Sequence, residues 1–242
     1  VLEDLRRTEC KVRRCSMTDF HSHVLPKMDD GSKSTEESLE MLKALSEQGV
    51  NKVIATPHYY ANDESVEDFL KRREASFERL KLLLTSEMPE ILLGAEIRFY
   101  EGISRLSDLK ALCIQNTNLL LLEMQMDKWT EYTLRELIEI SNNRGITLVL
   151  AHVERYMKFQ QKGVVERLLA NGVLMQINAD FVCNIFTRSK AIKMLKKQKV
   201  HLLGSDCHNM SDRPPKIGEA LRIIGKKLGE GYDDYANNFL KY

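Results

Sequence analysis

Short apolar runs alternate with longer amphipathic segments along the chain. The apolar runs consist mainly of Val, Ile and Leu, as is typical of strands that are buried on both faces of a parallel sheet. The strands that this pattern predicts lie at residues 17–21, 52–56, 91–96, 119–123, 147–152, 173–178 and 201–206.

The segments between the apolar runs have the period of helices. The first begins with a capping box, Ser34 with Glu37, and ends at Gly49, a residue suited to the position after the last helical turn. The predicted helices lie at residues 34–49, 63–86, 130–145, 163–171, 187–198 and 214–228, with a weaker candidate at 104–112. Seven β/α units in strict alternation therefore predict one parallel, barrel-like domain.

Composition is that of an ordinary globular protein. The 242 residues carry a formal net charge of +1, and the mean hydropathy is −0.34. We therefore expect no nucleic-acid partner, and no apolar run is long enough to predict membrane insertion. The five cysteines are odd in number and contain no C-x-x-C pair, so they predict neither a disulfide framework nor a cysteine-rich zinc site. A reducing compartment, and hence a cytoplasmic location, fits this best. The basic segment 1–16 is predicted to be an N-terminal extension of a domain at 17–242.

Histidines and carboxylates follow the predicted strands at the end where a parallel barrel builds its active sites. His21 and His23 end the first strand, and their alternate spacing lets both imidazoles face the same side. The other residues at this rim are His58, Glu96, Glu123, His152, Asp206 and His208. His201 is the exception among the six histidines, because it starts the last strand at the opposite end.

This set of imidazoles and carboxylates predicts a metal site, with manganese, iron(II) or zinc as the candidate ions. So many ligands exceed the needs of one ion, and closely spaced ions commonly activate water for attack on a phosphoester. Glu123 alone is equally compatible with capping a neighbouring helix. Arg155 and Arg213 lie in loops of the same rim. Each is either a surface residue or a clamp for a phosphoryl group, which a guanidinium fork matches well.

The motifs DFHSH, TPH, GAE, LLLLE, AHVER and GSDCHN resemble those of the polymerase-and-histidinol-phosphatase (PHP) superfamily. Within it, HSHVLPKMDDGSKSTEES, ATPHYY and AHVERY are most similar to the manganese-dependent bacterial tyrosine-protein phosphatases of capsule and exopolysaccharide operons. The resemblance implies a single-domain, distorted (β/α)7 barrel of the TIM-barrel-like PHP type. It also implies hydrolysis of phosphotyrosine by a metal-bridged hydroxide, with an autophosphorylated bacterial tyrosine kinase as the protein substrate.

The resemblance further implies three divalent metal ions per chain, manganese first, with iron or zinc as alternatives. Carried over motif by motif, the first ion is held by His21, His23, Glu96 and Asp206. Glu96 bridges to a second ion, held also by Glu123 and His152, and the third is held by Asp30, His58 and His208. We expect Arg155 and Arg213 to be the catalytic, phosphate-binding residues.

Two details of the motifs qualify this assignment. The family pattern makes Asp30 the ligand, and we expect Asp29 to shape the turn with Gly31. Val153 stands where this branch often has proline, which puts the position of the loop carrying Arg155 in question.

Three other functions stay open. Cys207 and Arg213 have the C-x5-R spacing of cysteine-dependent tyrosine phosphatases, but the segment lacks glycine and Asp212 would lie beside the phosphate. A small-molecule phosphatase of the same superfamily, such as a histidinol phosphatase, is the second. A catalytically silent metal-binding regulatory domain is the third.

Overall fold

The computed structural model describes residues 17–143, 145–229 and 240. Its strands are β1 Met17–Ser22, β2 Val50–Ala55, β3 His58–Tyr59, β4 Glu90–Leu93, β5 Glu96–Arg98, β6 Leu119–Glu123, β7 Thr147–Leu150, β8 Leu174–Asn178 and β9 Leu202–Gly204. Its helices are α1 Thr35–Glu47, α2 Val66–Lys81, α3 Glu131–Asn143, α4 Val164–Ala170, α5 Ala179–Cys183, α6 Arg188–Lys196 and α7 Ile217–Leu228. The predicted extension at 1–16 lies outside the described residues.

All strand pairs are parallel, in the orders β1-β2-β4 and β3-β5-β6-β7-β8-β9. The two sheets are continuous, because the Gly94 N–H donates to the Ala55 carbonyl and the Glu96 N–H to the Pro57 carbonyl. At the other edge, Asp206 N–H donates to the His21 carbonyl at 2.8 Å, and β1 meets the chain after β9. The described strands thus form the distorted seven-unit barrel that was predicted.

The interior of the barrel leads directly to the rim where the polar residues lie. Leu119, Leu121 and Glu123 alternate along β6 and share one face. The two leucines belong to a buried interior cluster with Phe20 and Val149, and Glu123 ends the same row. The single strand β6 therefore supplies apolar side chains to the interior and a carboxylate to the rim.

Several predicted elements differ from the structure. The candidate helix at 104–112 is wrong, because Leu106 is extended and leaves two 3-10 turns, Ile103–Arg105 and Leu109–Leu112. The predicted strand 91–96 is interrupted at Gly94, where a Cβ atom would lie 3.2 Å from Ile114. Glu96 accordingly begins β5 instead of ending a strand. The short helix α5 was not predicted, since five residues give no helical period.

The remaining helices confirm the predicted pattern with shorter bounds. Ser34 accepts a hydrogen bond from the Glu37 N–H at 3.2 Å, and Gly49 follows the helix with φ of 91°. No helix in the described part of the chain is long and apolar enough to cross a membrane.

Candidate metal and phosphate site

The rim residues surround a small cavity of about 190 Å³. Its lining residues are Asp30, His58, Tyr60, Glu96, Arg98, Glu123, His152, Arg155, Asp206 and Arg213. His21, His23 and His208 are buried and contact these lining residues. The structure thus brings every predicted ligand and both predicted arginines to one place, whereas His201 lies at the far end of β8 beside Met175.

The first group of ligand atoms converges on one carboxylate oxygen. Nε2 of His21 and Nε2 of His23 lie 3.2 Å apart, and Oε2 of Glu96 is 3.1 and 3.3 Å from them. Oδ1 of Asp206 lies 3.6 Å from both imidazoles. These are the four residues that the resemblance assigns to the first ion.

The second group lies on the other side of Glu96. His152 Nε2 is 2.9 Å from Glu96 Oε1 and 3.8 Å from Glu123 Oε1. His58 also lies here, because its Nδ1 is 3.2 Å from Glu96 Oε2. A ring nitrogen of His58 and carboxylate oxygens of Glu96 and Glu123 lie within 4.8 Å of one another. Glu96 therefore contacts both groups, and its bridging role stays a prediction of the family pattern.

The third group contains Asp30, His58 and His208, with His23 beside them. Oδ1 of Asp30 lies 3.4 Å from His208 Nε2 and 3.6 Å from His58 Nε2. Asp30 is 66% exposed, so this group is the one open to solvent.

Four histidines are oriented by contacts of their Nδ1 atoms. Nδ1 of His21 contacts Gln176 Oε1 at 3.3 Å, and Nδ1 of His23 contacts Asp29 Oδ2 at 2.7 Å. Nδ1 of His152 contacts the Tyr156 hydroxyl at 2.7 Å, and Nδ1 of His208 contacts the Asp206 carbonyl at 3.0 Å. Each contact leaves Nε2 directed into the site. Histidine ligands of metals are commonly fixed in this way, with the second nitrogen held by a carboxylate, hydroxyl or carbonyl.

The donor atoms fit divalent cations. His58 Nδ1 and His208 Nε2 are buried and have no hydrogen-bond partner among the described residues. Buried polar atoms without partners are costly, and a cation between them and Asp30 or Glu96 would satisfy them. The candidate groups among residues 17–229 contain imidazole nitrogens and carboxylate oxygens without a cysteine, which is a donor set of manganese, iron or zinc.

The charge balance of the cluster also favours cations. Burial raises the pKa of Glu96, but the charge of His21 and hydrogen bonds from neighbouring histidines outweigh it and hold this pKa well below its usual range. Burial lowers the pKa of His23, yet the Asp29 carboxylate overcomes it and raises the pKa well above the ordinary value. The carboxylates therefore hold protons on neighbouring imidazoles such as that of His23. A metal ion that binds these imidazoles must displace the protons.

Both predicted arginines bind Asp206. Arg155 Nη2 lies 2.6 Å from Oδ2 and Arg213 Nη2 lies 2.8 Å from Oδ1. Both guanidinium groups line the cavity, and each has further N–H donors beyond the one that contacts Asp206. Val153 stands in a 3-10 turn, Val153–Arg155, so the absent proline does not take Arg155 away from the site.

Two of the predicted ligands, His152 and Asp206, have strained backbones. His152 has φ of 30° and Asp206 has φ of 53°, a left-handed region that residues other than glycine rarely adopt. Such strain is concentrated at functional sites, where the surrounding structure must maintain it.

Sequence reasoning missed several residues of the site. Arg98 lines the cavity and donates to Glu123 Oε2 at 2.7 Å, and Tyr60 forms part of the wall. Asp29 does accept the Gly31 N–H, as expected of a turn residue, but it also binds His23 and the His58 N–H. The E-x-R spacing from Glu96 to Arg98 was the available signal, since alternate strand residues share a face.

Cys207 is in a poor position to act as a nucleophile. It is fully buried, and burial raises the pKa of its thiol far above the ordinary value. The thiolate is the reactive form, so a buried neutral thiol is inert. Cys113, Cys183 and Cys207 are free cysteines, and Cys10 and Cys15 lie outside the described residues.

Comparison with known proteins identifies relatives over most of the chain. The family described as capsular polysaccharide synthesis, CpsB/CapC, matches residues 17–239. The tyrosine-protein phosphatase YwqE of Bacillus subtilis is 30% identical over 88% of this chain and 85% of its own length. The tyrosine-protein phosphatase CpsB of Streptococcus pneumoniae is 33% identical over 88% of this chain and 91% of its own length.

A solved structure has the same fold. It comes from work on YwqE from Bacillus subtilis and CpsB from Streptococcus pneumoniae, described as unique metal-dependent tyrosine phosphatases. The TM-score is 0.76 at 25% sequence identity, and the match covers 93% of each chain.

Proposed function

Because this chain belongs to the CpsB/CapC family of capsular polysaccharide synthesis, we propose that it is a metal-dependent protein-tyrosine phosphatase. The observation that carries the proposal is one cavity in which histidines and carboxylates meet three arginines, Arg98, Arg155 and Arg213. Relatives of similar length that are named tyrosine-protein phosphatases support it. The domain proposed to act in this way spans residues 17–242, with 1–16 as an extension.

The proposed cofactor is a set of three divalent ions, manganese first and iron or zinc as alternatives. His21, His23, Glu96 and Asp206 would hold one, and Glu96, Glu123 and His152 the second. Asp30, His58 and His208 would hold the third, with His58 placed to serve the second as well. When bound, such ions neutralise phosphate charge and lower the pKa of water to near neutrality.

The remaining chemistry belongs to the side chains of this chain. Arg155 and Arg213 approach from the Asp206 side, and each presents planar N–H donors that match the oxygens of a phosphoryl group. Preorganised donors of this kind stabilise the charge on the equatorial oxygens as the ester bond breaks. Arg98 also lines the cavity and donates a hydrogen bond to Glu123. The leaving tyrosine has a pKa of about 10 and needs less protonation than an alkoxide.

The proposed protein substrate is a phosphotyrosine-containing bacterial tyrosine kinase of polysaccharide synthesis. The open Asp30 side of the cavity supports a macromolecular substrate, because a polypeptide can reach it from solvent. A cytoplasmic site of action agrees with a set of cysteines that lacks a C-x-x-C pair.

The test is a parallel assay of the metal-loaded protein on a phosphotyrosine peptide and on histidinol phosphate. We expect the higher kcat/KM on the peptide. A preference for histidinol phosphate would assign the chain to the small-molecule phosphatases, and no turnover of either ester with a full metal complement would support a regulatory domain.

A further inference from the structure

Tyr60 lies at the boundary between the metal cavity and a second, larger groove. It follows β3 directly, and its ring packs against the His58 imidazole with centroids 5.3 Å apart. The backbone carbonyl of Tyr60 accepts hydrogen bonds from the Asp63 and Glu64 N–H groups, which fixes the start of the loop. Tyr60 is still 39% exposed, so part of the ring is available to a ligand.

Tyr60 differs chemically from the other residues of the cavity. Those residues are arginines, carboxylates and histidines that face the candidate metal positions. Such groups bind a phosphate well. A phenyl ring surrounded only by charged groups would remove water from them and offer no hydrogen bond in its place. Among the lining residues, Tyr60 therefore offers the one phenol ring against which an aryl group can pack.

The larger groove continues outward from the same residues. It has a volume of about 690 Å³ and shares Asp30, His58 and Tyr60 with the inner cavity. Its outer wall contains Met28, Asp63, Glu64 and Arg72. Arg72 is fixed by the Met28 carbonyl and the Glu64 carboxylate, so this wall is ordered by contacts of its own.

The sizes of the two spaces suit a phosphorylated side chain on a polypeptide. The inner cavity, at about 190 Å³, is smaller than the roughly 300 Å³ at which ligand pockets usually begin. A phosphate group with its ester oxygen is small enough for this volume, and the groove that shares Tyr60 with the cavity offers space for the rest of the substrate.

We propose that Tyr60 and the groove form a subsite for an aryl phosphate carried on a peptide, with the substrate ring packed on Tyr60 and the flanking residues in the groove. This inference rests on the proposed function and makes Tyr60 a specificity-determining residue of this chain. Ring against ring, in an offset or edge-to-face arrangement, is the geometry that aromatic pairs prefer.

Binding measurements test the ring contact without any need for turnover. Phenylphosphonate and methylphosphonate differ by the ring alone, and each is titrated calorimetrically into the manganese-loaded protein. We expect Tyr60→Ala to reduce the preference for phenylphosphonate by about three- to tenfold, the range of aromatic pairs, and Tyr60→Phe to keep it. Tyr132→Ala is the matched control, because Tyr132 is 45% exposed and lies outside the cavity.

The groove is tested with a peptide that carries phosphonomethyl-phenylalanine, a phosphotyrosine analogue that resists hydrolysis. Asp63→Trp narrows the groove, so it should weaken peptide binding at least threefold more than binding of phenylphosphonate. An unchanged phenyl-to-methyl preference in Tyr60→Ala would overturn the ring contact, and equal losses in Asp63→Trp would overturn the groove. Failure of the proposed function would appear separately, as wild-type protein that binds these ligands but does not hydrolyse phosphotyrosine.

Discussion

Asp29 Oδ2 lies 2.7 Å from Nδ1 of His23, and this contact directs the other nitrogen of the ring toward Glu96 and Asp206. Burial alone would raise the pKa of Asp29, but His23 and two backbone N–H groups hold it below its usual range. The carboxylate is therefore ionised while it orients the imidazole. Asp29 and Asp30 are adjacent in sequence, yet one supports a ligand and the other faces the site.

Substitutions of the two aspartates should have different effects on metal binding. Asp29→Asn should raise the dissociation constant for metal about 10- to 100-fold, the usual cost of losing such an outer contact, and keep the ion number at saturation. Asp30→Ala should remove one ion, because Asp30 faces His58 and His208. Metal analysis after equilibrium dialysis measures both. Loss of an ion in Asp29→Asn, with none lost in Asp30→Ala, would reverse the two roles.

Arg213→Ala should lower kcat/KM on a phosphotyrosine peptide roughly 100-fold, since it removes a preorganised donor from the phosphate position. Arg213 is 37% exposed but its partner Asp206 is 3% exposed and keeps Arg155, so the free energy of unfolding should fall by about 1–3 kcal/mol. Steady-state kinetics with urea unfolding checks both. Arg222→Ala, on the exposed side of α7, is the control. Equal kinetics in the two variants would remove Arg213 from the phosphate site.

Tyr156→Phe should weaken metal binding at the His152 group and destabilise the fold. The hydroxyl accepts the Met124 N–H at 3.1 Å and contacts His152 Nδ1, so its removal leaves a buried N–H unpaired, at about 1–3 kcal/mol. Urea unfolding and metal titration measure the two effects. Tyr132→Phe, which changes an exposed tyrosine, provides the baseline. A Tyr156→Phe protein with unchanged metal affinity would show that Tyr156 does not position His152.

His201 should make stability depend on pH at the end of the barrel away from the metal site. Burial lowers its pKa below the ordinary value of 6.5. Between that lowered value and 6.5 the unfolded chain binds more protons than the folded one, so stability rises with pH there and is lost on acidification. Urea unfolding from pH 7.5 to 5 should give a smaller loss in His201→Asn, which keeps an acceptor for the Met175 N–H. Equal losses in both proteins would contradict this.

The fold was largely predictable because buried parallel strands give continuous apolar runs, and β6 was predicted with its observed bounds, Leu119–Glu123. Breaks inside strands were not predictable, since Gly94 lies close to Ile114 and Thr56, which are distant in sequence, and the apolar run continues across it. The gathering of ligands at one rim follows from strand direction alone. Contacts that orient the predicted ligands, such as that between Gln176 and His21, depend on the register between strands that are distant in sequence. A single sequence does not specify that register. That the ligand residues bind metal stays a prediction.

The central claim is that hydrolysis of phosphotyrosine depends on metal ions held by this cluster and not on Cys207. The most direct measurement is turnover of a phosphotyrosine peptide by wild-type protein and Cys207→Ser, after chelation with EDTA and after addition of Mn²⁺. We expect chelation to abolish activity in both proteins and Mn²⁺ to restore it. The restored activities of the two proteins should agree within about twofold, because the Cys207 thiol is buried and protonated. Activity that survives chelation, or an inactive Cys207→Ser protein with its metal content intact, would contradict the account.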